Sequence, residues 1–113
     1  MKKLLVLGAT GMLGNAIYKY FKKNNYEVYG TARSKDNLLK MSTVLQDKNI
    51  YHLDVNNQGN ITQLISNLKP THVINCIGLI KQLNLAESID QTIYINSLLP
   101  HLLRKICNQE GAY

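Results

Sequence analysis

Cysteine is scarce in this chain of 113 residues, and the two cysteines stand far apart. Cys76 and Cys107 form no C-x-x-C pair, which argues against a disulfide framework and against a zinc site. Long apolar runs are also missing. The run after the charged start is too short for a signal peptide and is interrupted at Gly8, and nothing approaches the ~20 apolar residues of a membrane span. We therefore expect a cytoplasmic protein without a membrane partner.

Acidic residues are few as well. Seven of them stand against thirteen Lys and Arg, which gives a formal net charge of +6. This charge suits a polyanionic ligand such as a nucleotide, or a nucleic acid, and a solvated basic surface explains it equally. No basic run is interleaved with aromatic residues, so we expect no nucleic-acid partner. His52, His72 and His101 have no metal-ligand spacing, and we expect no metal.

Strand-like and helix-like segments alternate along the chain. Four apolar stretches are predicted strands: Lys3–Leu7, Tyr26–Arg33, "NIYHLDV" ending at Asp54, and Thr71–Ile77. Helices are predicted at Met12, Leu13, Ala16, Ile17, Tyr20 and Phe21; in the Ser34-capped stretch "SKDNLLKM"; at Ile61, Leu64, Ile65 and Leu68, stopped by Pro70; and over about Leu85 to Gln109. The alternation predicts a parallel sheet with helices on both faces, joined by right-handed crossovers.

Three glycines form a GxxGxxG between the first predicted strand and the first predicted helix. There, Gly8 permits a tight turn, Gly11 lets a pyrophosphate approach the backbone, and Gly14 lets the helix pack close to the sheet. A tight turn that binds nothing is the alternative. The pattern predicts a Rossmann-type, doubly wound fold. The predicted phosphate loop, at a helix N-terminus that attracts anions, comprises Gly8, Thr10, Gly11, Met12, Leu13 and Gly14.

Four stretches together resemble the extended short-chain dehydrogenase/reductases, and within them the dTDP-4-dehydrorhamnose reductase branch. "VLGATGMLG" resembles their cofactor loop, "HLDV" the Asp-plus-apolar pair after their third strand, and "KPTHVINCIG" their fourth strand. "LAES…IYINSLLPHLL" resembles the helix that carries an Asn followed by a Pro. The resemblance implies a reductase of 4-keto nucleotide sugars in surface-polysaccharide synthesis. A nucleotide-sugar epimerase or dehydratase, and a non-catalytic protein that senses NADP(H), are the alternatives.

The resemblance also implies contacts for the rest of the cofactor. Asp54 would accept from the exocyclic amine of adenine, with Val55 against the ring; a turn-forming aspartate is the alternative. The end of the fourth strand would pack along the cofactor through Asn75, Cys76, Ile77 and Gly78. We interpret Cys76 as a small buried residue rather than a nucleophile, because no base lies near it in the sequence.

The second predicted strand lacks the acidic residue that holds the ribose hydroxyls in NAD-preferring domains. Arg33 and Ser34 stand there instead, and both offer donors that suit a 2′-phosphate. We therefore predict NADP(H) as the cofactor rather than NAD(H). Extension of Arg33 into solvent is the alternative.

Tyr18 and Lys22 have the Tyr-x-x-x-Lys spacing of the family's catalytic pair, but they lie on the helix directly after the glycine loop. The family's pair lies on a later helix, so we expect no catalytic residue here. Pro100 cannot bond the carbonyl of Asn96, four residues earlier, which leaves a polar group that can hold a water. The resemblance implies that Asn96 positions a proton-relay water. A helix that begins near Pro100 is an equal alternative. Lys81 is a candidate substrate contact, in a loop that departs from the reductase pattern.

No fifth or sixth strand follows the last predicted helix. We expect residues 1–113 to be one NAD(P)-binding domain, the N-terminal part of a longer protein, truncated after the fourth strand and its helix and without the catalytic and substrate region. Missing strands would expose a sheet edge or the apolar stripe of Leu98, Leu102 and Ile106. Such surfaces favour self-association, so a homodimer is expected.

Overall fold

The structure is a computed structural model that describes residues 2–33, 49–77 and 93–113. The elements are β1 (Lys3–Leu7), α1 (Met12–Lys23), β2 (Glu27–Ala32), β3 (Ile50–His52), α2 (Gln58–Leu68), β4 (His72–Asn75), a π-helical turn (Tyr94–Leu98) and α3 (Leu99–Glu110). All four predicted strands are present, each within its predicted range. The predicted helix that starts at Ser34 lies outside the described residues.

The four strands form one parallel sheet in the order β3-β2-β1-β4. β1 is central, and its Leu5 pairs with Tyr29 of β2 on one side and Val73 of β4 on the other. On the outer side of β4, Tyr113 donates its N–H to the Thr71 carbonyl at 2.9 Å and accepts from the Val73 N–H at 2.7 Å. This strand order confirms the predicted Rossmann-type, doubly wound architecture.

Two hydrophobic cores lie on opposite faces of the sheet, because successive side chains of a strand point to opposite faces. One core contains Leu4 and Val6 of β1 and packs against α1. The other contains Leu5 and Leu7 and packs against α2 and α3. β1 is therefore buried on both faces, as its continuous apolar run predicts.

The predicted apolar stripe of α1 is wrong in four of its six members. Met12, Leu13, Ala16 and Tyr20 are exposed, and Met12 is 95% exposed. Gly14 and Tyr18 form the buried line of the helix, with Ile17 and Phe21 partly buried beside them. The helix is turned so that its glycine, and not its largest apolar residues, lies closest to the loop after β1.

α2 and α3 close the other core. The Asn57 side chain caps α2 by accepting from the Asn60 N–H at 3.2 Å, and the helix ends at Lys69, which has a left-handed backbone. On α3 the buried residues are Leu99, Leu103, Ile106 and Cys107. Ile106 is therefore a core residue, and its predicted exposure is wrong, whereas Leu98 is 47% exposed.

No helix within the described ranges 2–33, 49–77 and 93–113 is both long enough and apolar enough to cross a membrane.

Candidate functional site

The glycine loop lies where the strand order of the sheet reverses direction. β1 has β2 on one side and β4 on the other, so the chain leaves β1 at the switch point of the sheet. Ligands of open parallel sheets bind in the crevice at such a point, beyond the carboxyl ends of the strands. Gly8 reaches across this crevice toward the end of β4: a Cβ built on it would lie 3.1 Å from Ile77 Cγ1 and 3.2 Å from the Cys76 backbone.

Two of the three glycines are required by the chain itself. Gly8 has φ +79, which L side chains rarely adopt. A Cβ on Gly14 would lie 2.0 Å from the Gly8 carbonyl oxygen, so α1 packs against the loop at van der Waals distance only because Gly14 has no side chain.

Gly11 differs from its two neighbours in the motif. Its φ of −74 is open to any residue, and a Cβ there would have only the Gly8 oxygen nearby, at 3.6 Å. Nothing in the described part of the chain therefore requires a glycine at this position. Gly11 is exposed, and the approach of a pyrophosphate to its backbone stays a prediction.

The N-terminus of α1 opens onto the same space. Gly11 is the N-cap, no side chain caps the helix, and its first turn holds no acidic residue. Met12 and Leu13, the first helical residues, are exposed. Uncapped N–H groups and the positive end of the helix dipole favour an anion here.

Thr31 holds the loop in place, and the sequence pattern assigned it no role. It is 2% exposed. Its Oγ1 accepts from the Gly8 N–H at 3.1 Å, and its carbonyl accepts from the Ala9 N–H at 2.8 Å. Thr31 is the only serine or threonine in β2, and this was the signal available in the sequence.

Arg33 follows directly on β2 and is exposed. Its carbonyl oxygen lies 3.1 Å from His52 Nε2, which ties the ends of β2 and β3 together. Among residues 2–33, 49–77 and 93–113, the Arg33 guanidinium forms no ion pair. Ser34, its predicted partner in binding a 2′-phosphate, lies outside the described residues.

Asp54 and Val55 begin the turn after β3. The Asp54 carboxylate accepts from the Asn56 N–H at 3.0 Å, and its carbonyl accepts from the Asn57 N–H at 3.1 Å. The turn-forming alternative for Asp54 is thus present in the structure, and the carboxylate is exposed as well. Val55 is buried in the core, and its carbonyl accepts from the Tyr94 phenol. The adenine contacts of both residues stay predictions.

The end of β4 supplies the opposite wall of the crevice. Asn75 is exposed, and its side-chain oxygen accepts from the Ile77 N–H at 3.0 Å. Cys76 donates its N–H to the Leu7 carbonyl at 2.9 Å. Burial raises the pKa of the Cys76 thiol, which keeps it protonated and supports a packing role. Gly78 and Lys81 lie outside the described residues.

Tyr18 is buried between α1 and the sheet, at 1% exposure. It packs in the core with Val28 and Ala32. The interpretation of Tyr18 and Lys22 as non-catalytic stays a prediction. Within the described ranges, no three His, Cys, Asp or Glu residues form a group that could hold a metal ion.

The segment around Asn96 is helical before Pro100 is reached. Ile93 already has right-handed helical angles, and the π-helical turn runs directly into α3. The Leu99 N–H donates to the Tyr94 carbonyl, five residues back, and Pro100 lies in the first turn of α3. Pro100 therefore stands at the start of the α-helical part but within a continuous helical run. Asn96 is exposed, and its relay role stays a prediction.

A groove of about 400 Å³ runs beside β4, on the face of α3. Its walls include Val73, Asn75 and Leu103. It is separate from the glycine loop.

Comparison with known proteins places this geometry in a family. Residues 4–112 match the family described as NAD dependent epimerase/dehydratase. A methionine adenosyltransferase 2 subunit beta from Xenopus tropicalis is 31% identical over 75 residues, which are 66% of this chain and 20% of that protein.

Solved structures share the fold at low identity. A UDP-glucose 4-epimerase from Thermus thermophilus, solved in complex with NAD, superposes with a TM-score of 0.75 at 18% identity, over 97% of this chain and 35% of that one. A hypothetical dTDP-4-dehydrorhamnose reductase from Sulfolobus tokodaii superposes with a TM-score of 0.78 at 17% identity, over 98% and 37%. The chain thus spans about a third of these structures and, where it aligns, 20% of the curated relative. With its glycine loop at the switch point of a parallel sheet, the chain belongs to the NAD dependent epimerase/dehydratase family.

Proposed function

We propose that this chain is the NADP(H)-binding part of a nucleotide-sugar reductase of the dTDP-4-dehydrorhamnose reductase type, acting in surface-polysaccharide synthesis. The observation that carries the proposal is the open approach to Gly11. At the switch point of the sheet, the backbone of Gly11, which has no side chain, and the uncapped N-terminus of α1 face the same space. A pyrophosphate needs both features, because it must approach the backbone closely and accept from its N–H groups.

The preference for NADP(H) rests on the end of β2. Arg33 is exposed there and has no ion-pair partner within residues 2–33, 49–77 and 93–113. At this position after β2, NAD-preferring domains have a carboxylate, which accepts from the ribose hydroxyls and would repel a 2′-phosphate. A guanidinium instead binds a phosphate through two parallel hydrogen bonds. Arg33 is therefore our candidate for the 2′-phosphate contact.

The adenine end of the cofactor would lie at the turn after β3. His52 and Arg33 join the ends of β3 and β2, so the turn at Asp54 stands next to the proposed 2′-phosphate contact. The exposed Asp54 carboxylate offers an acceptor for the exocyclic amine of adenine. This arrangement would extend the dinucleotide from the turn after β3, past Arg33, to the glycine loop.

Hydride transfer would depend on residues outside this chain. When bound, the nicotinamide would supply the hydride for the keto carbon of the sugar. The chain's own residues bind and orient the cofactor: the glycine loop holds the pyrophosphate, and Arg33 and Asp54 hold the adenosine half. Among the described residues, Tyr18 and Lys22 have the spacing of the family's tyrosine and lysine, which hold and move the carbinol proton, but Tyr18 is buried in the core.

A second candidate function is a dinucleotide-binding subunit without catalysis of its own. The similarity to a protein named as subunit beta of a methionine adenosyltransferase favours it. In the whole protein, a Tyr-x-x-x-Lys pair on a later helix would support the reductase, and an active reductase assay would exclude the subunit.

The direct test is a calorimetric titration of NADPH and NADH into the chain and into Gly11→Val. The valine side chain would occupy the space assigned to the pyrophosphate. Losing even one hydrogen bond to a charged phosphate corresponds to about a tenfold weaker affinity. The fold is expected to persist, since the backbone angles of Gly11 suit valine and a poorer N-cap costs only ~1 kcal/mol.

Ala16→Val is the matched control, because it adds a branched side chain to the exposed face of the same helix. It is expected to bind NADPH like the wild type. Equal NADPH affinity of Gly11→Val and the wild type would contradict the pyrophosphate site. Tighter binding of NADH than of NADPH would contradict the cofactor preference.

A further inference from the structure

Hydrogen bonds between its own polar groups stabilise the turn that follows β3. Asp54 accepts from the N–H groups of Asn56 and Asn57, and Asn57 in turn caps α2. Just before the turn, the Leu53 N–H donates to the Ala32 carbonyl at 3.0 Å. All these bonds come from β2 or from within the turn and its helix.

A bond also reaches the turn from a distant part of the chain. The Tyr94 phenol donates to the Val55 carbonyl, across 39 positions of sequence. Tyr94 is the first residue of the π-helical turn, and π-helical turns are frequent at functional sites. The ring is partly buried against the core that contains Val55 itself.

The phenol is a stable donor at neutral pH. Burial raises the pKa of Tyr94, and the nearby charge of Asp54 raises it further. The phenol thus keeps its proton under physiological conditions, and the Val55 carbonyl is its acceptor.

We propose that Tyr94 is a positioning residue for the adenosine end of the dinucleotide: its phenol holds the Asp54–Val55 backbone in the conformation that receives adenine. This inference rests on the proposed function, because it takes the turn after β3 as the adenine contact. It also makes the π-helical turn part of the binding site, although Tyr94 itself touches no ligand. Affinity for the adenosine half then depends on a hydrogen bond between two distant elements.

Packing alone is the competing role for Tyr94, and Tyr94→Phe separates the two roles. Phenylalanine keeps the ring in the core and removes only the hydroxyl. The experiment titrates two ligands into the wild type and the variant: 2′,5′-ADP, which carries the adenosine end, and inorganic pyrophosphate, which matches the glycine loop. Hydrogen exchange of the Asn56 and Asn57 amides reports on the turn itself. Tyr20→Phe, the same change at an exposed tyrosine, is the control.

We expect Tyr94→Phe to bind 2′,5′-ADP about three- to tenfold more weakly, the effect of one hydrogen bond. Pyrophosphate affinity should stay unchanged, the two amides should exchange faster, and Tyr20→Phe should match the wild type throughout. Unchanged 2′,5′-ADP affinity, or equal losses for both ligands, would overturn the inference.

A wild type that binds neither ligand would contradict the proposed function, and with it the role of Tyr94 in binding adenosine. Hydrogen exchange distinguishes this case from one in which the hydrogen bond of Tyr94 does not hold the turn. Unchanged exchange of Asn56 and Asn57 in Tyr94→Phe would show that the phenol does not hold the turn, whatever the ligands do.

Discussion

Thr31 ties the glycine loop to the neighbouring strand through two hydrogen bonds. Its hydroxyl accepts from the Gly8 N–H and its carbonyl from the Ala9 N–H. The loop turns at Gly8 with a positive φ, and these bonds hold the turn in place. The shape of the predicted phosphate loop is thus fixed from β2 as well as by its own glycines.

Thr31→Val tests this anchor. Valine keeps the volume and the β-branch but leaves the Gly8 N–H without its acceptor in a nearly buried position. An unsatisfied buried donor costs ~1–3 kcal/mol. We expect the free energy of unfolding, measured by urea titration, to fall by about that amount and NADPH affinity to fall with it.

Thr31→Ser is the control for the Thr31 prediction, because serine keeps the hydroxyl and loses only a methyl group. Its stability should lie well above that of Thr31→Val. If the two variants are equally stable, the hydroxyl contributes nothing and the loop depends on its glycines alone.

For single residues, the sequence predicted roles that depend on neighbours in the same motif, and it did not predict hydrogen bonds between residues far apart in the sequence. The tasks of Gly8 and Gly14 could be predicted because both act within a few positions of each other in one motif. The bonds of Thr31 to Gly8 and of Tyr94 to Val55 span 23 and 39 positions. No spacing rule links such pairs, since only the folded sheet brings them together.

Among the elements, α1 shows why a pattern of apolar residues can point to the wrong helix face. Gly14 is the point of closest approach between α1 and the loop, with no room for a Cβ beside the Gly8 carbonyl. This contact fixes the rotation of the helix and turns Tyr18, one turn later, into the core. The buried face was predicted from the spacing of large apolar residues, and glycine is not one of them, so Gly14 did not enter the prediction.

Gly14→Ala tests the contact between α1 and the loop. The added methyl would lie 2.0 Å from the Gly8 carbonyl oxygen, so α1 must move away from the loop. Overpacking of this kind costs ~1–3 kcal/mol and outweighs the ~1 kcal/mol that alanine gains in helix propensity. We expect a lower free energy of unfolding and weaker NADPH binding.

Gly11→Ser provides the comparison for Gly14→Ala. It adds a side chain where the nearest atom is 3.6 Å from the new Cβ, and serine is a preferred N-cap residue. Its stability should be no lower than that of the wild type. Equal stability of Gly14→Ala and the wild type would show that α1 does not need the close approach.

The strands and the helix stops were predictable because they depend on local chemistry. β1 is a continuous apolar run, α1 ends at Asn24 and Asn25, and α2 ends just before Pro70. Which residues of the last helical segment are buried was harder to predict, because its apolar residues follow helical spacing on more than one face of the helix. Only the packing of α3 against α2 and the sheet decides that Ile106 is buried and Leu98 is not.

For the whole molecule, the alternation of strands and helices made the topology predictable. The distances between the site residues could not be predicted from it. Parallel pairing brings the carboxyl ends of all four strands to one edge of the sheet. Gly8, Arg33 and Asp54 follow β1, β2 and β3 at that edge, and Asn75 is the last residue of β4. Their mutual distances depend on loop conformations that the sequence pattern does not specify.

The isolated chain is expected to transfer no hydride. Tyr18 is buried, and the described residues place no other Tyr-x-x-x-Lys pair beside the glycine loop. Purified chain, NADPH and a 4-keto nucleotide sugar should give no change in absorbance of the reduced nicotinamide. A measurable rate would place the catalytic acid among residues that we interpret as structural.

The charge of the whole molecule leads to a prediction about salt. The chain carries a net charge of +6, and the proposed contacts to NADPH are to phosphates. Salt shortens the Debye length from about 10 Å at 0.1 M to about 3 Å at 1 M, so contacts between exposed charges weaken. We expect NADPH affinity, measured by calorimetry, to fall steadily as NaCl is raised over this range. NADH affinity should fall less steeply, because it lacks the 2′-phosphate that would face Arg33.

Arg33→Gln separates this local contact from the general attraction of a basic protein. In the variant the salt dependence of NADPH should approach that of NADH, because the phosphate has lost its charged partner. Arg104→Gln removes the same charge from an exposed position on α3 and should leave the difference between the two cofactors intact. If the two cofactors respond to salt alike in the wild type, Arg33 does not bind the 2′-phosphate. If Arg104→Gln and Arg33→Gln act alike, net charge is the cause of the salt dependence.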